Sequence, residues 1–137
     1  MAAVEAGDRE GWLALFADDA VVEDPIGASP LNPSGEGRRG KEAIAAFWDE
    51  VISMGRVGFA IRESYACGNE CANVGRITTD LGDGNRSVVE GVYTYRVDDE
   101  GRIVALRAFW EFDAMSFESG AVESNAVESD AVEGSGA

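Results

Sequence analysis

The sequence has no histidine, and its eleven basic residues are ten arginines and one lysine, Lys41. Without imidazole there are no Ser-His or Cys-His nucleophile pairs and no His-based metal sites. A general acid or base must therefore be Asp, Glu, Tyr, Lys or Cys. Positive charge is scarce: 26 acidic residues outweigh 11 basic ones, for a net charge of −15. Such a surface repels phosphates, which argues against nucleic acid and anionic membranes as partners. Cysteine is nearly absent. Cys67 and Cys71 alone would leave a zinc site short of ligands, so no metal is expected. No run of about 20 apolar residues exists, so no spanning helix is expected. The stretch Met1–Asp8 has neither a basic n-region nor an apolar h-region, so it does not read as a signal peptide. The expected compartment is the cytoplasm, with both thiols reduced.

What is present fits one domain of 137 residues with one core. Asp8 is a plausible N-cap for a helix whose apolar stripe is Trp12, Leu13, Leu15 and Phe16, ended by Ala17-Asp18-Asp19. In Ala20–Asp24 the side chains alternate. If the face of Ala20 and Val22 is the inner one, Asp24 points inward and Glu23 outward. Pro25 biases Asp24 towards extended backbone. All three prolines lie in the loop 25–40, whose length and position suggest a lid or rim. Lys41–Met54 reads as a helix, with Ile44, Phe47, Trp48, Val51 and Met54 on one stripe and Gly55 at the C′ position.

From residue 57 the period changes to two. Val57, Phe59, Ile61 and Tyr65 share one side of a strand, Cys67–Cys71 is a turn, and 72–81 is a more polar strand. Asp80, Asp83 and Asn85 lack EF-hand spacing and mark another turn. Val89, Gly91, Tyr93, Tyr95 and Val97 form the apolar face of the next strand. After Asp98–Gly101, read as a four-residue loop, the apolar face is Val104, Leu106, Ala108, Trp110 and Phe112. An even loop lets odd positions oppose even ones, so Tyr93 and Trp110 face the same side. The domain is expected to span 1–117. The repeating Ala-Val-Glu segment that follows, 118–137, has the composition of a disordered acidic tail.

Antiparallel strands with helices gathered on one face define an α+β fold. A strongly curved antiparallel sheet wrapped on those helices leaves a cone-shaped cavity, with Asp24, Phe47, Trp48, Tyr93, Leu106, Ala108 and Trp110 as candidate lining. Burial would raise the proton affinity of Asp24, and an indole N–H from Trp110 would partly oppose that rise. A carboxylate base beside the neutral phenol of Tyr93 suits proton abstraction next to a carbonyl. The bland alternative is that Asp24 merely caps a turn before Pro25.

Three segments carry a family resemblance. Residues 14–27, Ala-Leu-Phe-Ala-Asp-Asp-Ala-Val-Val-Glu-Asp-Pro-Ile-Gly, resemble the signature of the ketosteroid isomerases, within the NTF2-like or SnoaL-like superfamily. Residues 40–48 resemble the family's second motif, and 95–103 with 108–111 its last hairpin. The likeness covers about residues 3–117, and the longer Asn-Pro-containing lid with Asp-Arg-Glu-Gly-Trp-Leu-Ala-Leu (8–15) resembles an actinobacterial branch. It implies the cone-shaped NTF2-like roll and a cofactor-free isomerase of Δ5-3-ketosteroids with an Asp base and Tyr and Asp oxyanion donors. By position, Asp24 matches the base, Trp110 its tryptophan neighbour, and Phe47 and Trp48 pocket aromatics. The oxyanion Asp falls at Tyr93. The oxyanion Tyr belongs to a first helix largely missing here, where only Met1–Ala6 precede Gly7. Either the true start lies upstream, the sequence is a shortened piece, or the chemistry has been lost. The resemblance also implies a homodimer through the outer sheet face.

Two other functions compete for the same pocket, and the second fits least. One is a non-catalytic module holding a steroid-like or other apolar small molecule. The other is an epoxide-hydrolase-like or cyclase-like enzyme, for which Arg76 and Asp80 are out of phase with the polar set required.

Overall fold

A computed structural model of the chain describes residues 1–119. Short helices α1 (Ala2–Glu5) and α2 (Arg9–Ala14) lead into β1 (Phe16–Glu23). Asp8 caps α2 as expected, its Oδ1 accepting from the Gly11 N–H at 3.0 Å. The helix ends at Ala14 rather than at Ala17–Asp19, because Phe16 and Ala17 are already buried strand residues. The loop after β1 holds a two-residue strand β2 (Arg38–Arg39), paired antiparallel to β1. Buried Asn32 pins this loop from within. Its Nδ2 donates to the Gly27 carbonyl, and its Oδ1 accepts from the Gly37 N–H.

Helix α3 runs over Lys41–Glu50, and a 3-10 turn, Ile52–Met54, completes the segment expected to be one helix. Gly55 is extended (φ −167°), so it is not a left-handed C′ cap. Ile44, Phe47 and Trp48 are buried, on one stripe. Trp48 packs on Trp12 with ring centroids 5.4 Å apart, and Trp12 meets Phe16 edge-on at 4.8 Å. These side chains, with Ala20, Val22 and Leu106, form the core. Each such large side chain contributes about 1.5–3 kcal/mol on burial.

The remaining strands are β3 (Arg56–Cys67), β4 (Glu70–Asp80), β5 (Asn85–Val97), β6 (Ile103–Phe109) and β7 (Ser116–Ser119). The seven-stranded sheet has the order β2-β1-β6-β5-β4-β3, with β7 paired to β5. The curved α+β sheet on helices is as expected, with one correction. β1 runs parallel to β6, so the sheet is mixed. β7 crosses the point where the domain was expected to end, and from Gly120 the acidic segment lies outside the described residues. Among the described residues no helix is long and apolar enough to cross a membrane, and Cys67 and Cys71 are free thiols.

Register sorts the inner face into rows. Nearest the mouth lie Val57, Thr79, Ser87 and Phe117; next come Phe59, Ile77 and Val89. The third row is Ile61, Gly75 and Gly91, the fourth includes Tyr93 and Ala108, and the fifth Tyr95, Leu106 and Val22. The third row is the fold line of the sheet. A Cβ on Gly75 would lie 2.3 Å from the Ala60 carbonyl oxygen, and one on Gly91 would lie 2.4 Å from that of Phe109. Facing glycines let the strand backbones close in there, which bends the sheet into a cone.

Candidate active site

The concave face encloses a cavity of about 340 Å³, within the usual range for small-molecule sites. Its walls are almost wholly apolar. Asp24, Phe47, Tyr93, Leu106, Ala108 and Trp110 all line it, as the residue pattern predicts. Trp48 does not. Adjacent helix positions point about 100° apart, so Phe47 turns to the sheet while Trp48 turns to Trp12. The proline-containing loop supplies Leu31 to the wall, which makes it a rim.

Asp24 follows directly on β1. Val22 pairs with Leu106 and Glu23 with Arg107, which brings Asp24 alongside Ala108. A bond from the Ile26 N–H to the Ala108 carbonyl fixes that approach at 3.0 Å. The Trp110 indole N–H donates to Asp24 Oδ1 at 2.7 Å. Trp110 itself fits over Gly91, whose missing side chain leaves the space. Burial pushes the Asp24 carboxyl above its ordinary pKa, and the indole bond only partly opposes this. Among the described residues no cation pairs with it, so desolvation sets the direction of the shift.

Tyr93 shares a row with Asp24, with Ala108 between them. Two strand spacings, about 10 Å between Cα atoms, separate the carboxylate and phenol positions, and the small Ala108 side chain keeps the floor between them low. The Tyr93 hydroxyl donates to the Val89 carbonyl at 3.2 Å. Its pKa is raised strongly, by burial first and by the Asp24 charge second. A neutral phenol results.

One polar group in this region was not singled out from the sequence. Tyr95 lies one row deeper, opposite Leu106, and lines the cavity. Burial, with the nearby Asp24 charge, pushes its pKa up to about 12. Unlike Tyr93, its hydroxyl has no hydrogen-bond partner among the described residues. Its place on the odd, apolar face of β5 was the available signal. Thr79, Ser87, Val4, Trp12, Met115 and Phe117 also line the cavity unanticipated.

A bent sheet closed by helices around a half-buried, indole-bound carboxylate defines a small pocket protein of the NTF2-like class. The SnoaL-like domain model matches residues 1–106, and the chain belongs to that family. A steroid Delta-isomerase of Nocardioides simplex is 34% identical over 108 residues, covering 79% of this chain and 80% of that protein. Among solved structures, a Delta 5-3-ketosteroid isomerase from Mycobacterium sp. is 47% identical, covers 85% of this chain and 91% of its own, and superposes with a TM-score of 0.81. RV0760c of Mycobacterium tuberculosis in complex with estradiol-17beta-hemisuccinate is 44% identical, covers 84% and 90%, and gives 0.79.

Proposed function

We propose that this chain moves a proton within a steroid-like ketone, converting a Δ5-3-ketosteroid to its conjugated Δ4 isomer. The observation that carries this reading is Asp24, a carboxylate of raised pKa held by Trp110 inside an apolar cavity. Relatives bearing the names steroid Delta-isomerase and Delta 5-3-ketosteroid isomerase support it. In the proposed step, Asp24 removes a proton from the carbon between the carbonyl and the alkene. The C–H electron pair enters the conjugated system and the carbonyl oxygen becomes a dienolate oxygen. A neutral phenol, Tyr93 or Tyr95, donates a hydrogen bond to that oxygen. Asp24 then returns the proton to the far alkene carbon, so atoms and charge balance without a cofactor. The test is isomerisation of a Δ5-3-ketosteroid, followed by the ultraviolet absorbance of the conjugated ketone. Asp24→Asn should lose turnover while retaining steroid binding, and equal turnover in the variant sinks the proposal.

One observation favours a second reading, in which the cavity holds such a ligand without turning it over. The Tyr93 hydroxyl donates to Val89, which removes it from an oxyanion unless it rotates away. Saturable steroid binding with no exchange of the ligand's α-proton into deuterated water would identify that case.

A further inference from the structure

We propose that the mouth of the cavity holds a second polar subsite, formed by the hydroxyls of Thr79 and Ser87, that recognises an oxygen at the end of the ligand remote from Asp24. The inference rests on the reading that the cavity takes an elongated, steroid-like ketone. Thr79 and Ser87 are direct cross-strand partners on β4 and β5, and both face the cavity. Their row is otherwise apolar, with Val57 on one side and Phe117 on the other. Neither hydroxyl has a hydrogen-bond partner among the described residues, and both residues are half-buried. The Thr79 methyl lies against Gly55, which fixes that side chain by packing and leaves its oxygen on another bearing.

Distance along the sheet sets what could span the two ends. Trp110, the partner of Asp24, sits over Gly91. Ser87 is four residues from Gly91 along β5, about 13 Å at an extended rise, and six from Tyr93, whose row holds Asp24, about 20 Å along the strand. The shorter path, from the Trp110 that bonds the carboxylate, is the length scale of a tetracyclic fused-ring skeleton. The wall between consists of Phe59, Ile77 and Val89, where the one polar group is the Tyr93 hydroxyl, already bonded to the Val89 carbonyl. A hydroxyl both donates and accepts, so the pair suits either an alcohol or a ketone. The ligand class is therefore an apolar fused-ring body with a ketone at the Asp24 end and an alcohol or ketone at the mouth end. Exposed Phe117 and Met54 flank the opening and would cover the rings as they emerge.

The test compares two probes, a 3-ketosteroid carrying a D-ring hydroxyl and its deoxy analogue, by calorimetric titration of the full chain. The wild type should bind the hydroxylated probe about five- to tenfold more tightly, the effect of one or two neutral hydrogen bonds. The double variant Thr79→Val, Ser87→Ala should lose that preference yet bind the deoxy probe within about twofold of wild type. The exchange Thr79→Ser, Ser87→Thr keeps both hydroxyls and should keep the preference, which separates recognition from a packing defect. Equal binding of the two probes by wild type overturns the subsite, as does a preference that survives in the double variant; in either case the cavity reading stands. If neither probe binds, both readings fall.

Discussion

Glu23 and Asp24 are adjacent carboxylates on opposite faces of the same sheet, and their surroundings are opposite. Glu23 points outward and meets the Arg107 guanidinium at 2.8 Å. Asp24 points inward and, among the described residues, its side chain accepts only from an indole N–H. The outer face repeats the first arrangement: Glu90 sits between Arg62 and Arg76, both at 2.9 Å. Partial burial pushes the Glu90 pKa up, but the two guanidiniums outweigh it and hold the group below the ordinary carboxylate value. Among the described residues the inner face places no cation against Asp24, so desolvation wins and its pKa rises. Carboxylates paired with arginine are resting charges. The unpaired one is the group with a proton to gain.

The largest expected effect breaks this contrast at its centre. Asp24→Asn removes the proposed base and should lower the proposed isomerisation about 10²- to 10⁴-fold. In wild type, the rate should fall as pH drops through the raised Asp24 pKa, because the protonated acid cannot accept a proton. Stability runs the other way. The folded chain holds this proton more tightly than the unfolded chain, so between the ordinary value of 3.8 and the raised one it binds more protons. Wild-type stability therefore declines as pH rises through that window. Asp24→Asn should raise Tm at neutral pH by roughly several degrees, with the gain vanishing at acidic pH. Thermal melts at both pH values check the sign.

The next effect sharpens the contrast between the two phenols. Tyr95→Phe removes a hydroxyl with no partner among the described residues and should cost about 10²-fold in turnover if Tyr95 supplies the oxyanion donor. Tyr93→Phe removes a hydroxyl already bonded to Val89, and turnover should change less than about tenfold. The reverse order in steady-state assays would make Tyr93 the donor and its bond to Val89 a resting state.

Much of this arrangement was legible in the residues, and the failures have particular causes. Alternation placed Tyr93 on the same side as the Leu106–Ala108–Trp110 face, and the observed register sets Tyr93 against Ala108. The route there was different. The connection between β5 and β6 spans Asp98–Arg102, five residues, and a bulge at Val104 restores the parity that a four-residue loop would have given. On β3 no second shift compensates. Val57 and Phe59 line the cavity, but a bulge at Arg62 reverses the alternation, and Tyr65 pairs with Ala72 on the outer face, 61% exposed. A single inserted residue leaves no mark in composition, so period alone could not find it. The parallel β1–β6 pair was hidden for another reason: it joins segments more than 80 positions apart, such as Val22 and Leu106, with no local signal. β7 was missed because four residues carry too little alternation beside an acidic repeat.

The facing glycines permit a test of the bend that separates the two faces. Gly91→Ala would drive a methyl to 2.4 Å from the Phe109 carbonyl oxygen and 3.1 Å from the Trp110 Cβ. The sheet must open at that row or Trp110 must move. A stability loss of about 1–3 kcal/mol is expected, measured by urea unfolding. Because Trp110 holds Asp24, the pH midpoint of activity should shift as well. A stability loss with an unchanged midpoint would mean that the bend and the carboxylate site are independent.

The smallest expected effect lies on the outer face. Glu23→Gln breaks the pair with Arg107, whose side chains are 19% and 45% exposed. Half-exposed ion pairs contribute at most about 1 kcal/mol, and salt weakens them further. Stability should therefore change little, and the loss should shrink at high ionic strength. Activity is the more informative readout, because Glu23 and Asp24 share one peptide bond and Arg107 sits beside Ala108 on the strand that positions Asp24. If turnover is unchanged, the β1–β6 backbone pairing alone fixes the base, and the outer charges serve only the surface. If turnover falls without a matching loss of stability, the Glu23–Arg107 pair is part of what aims Asp24 into the cavity.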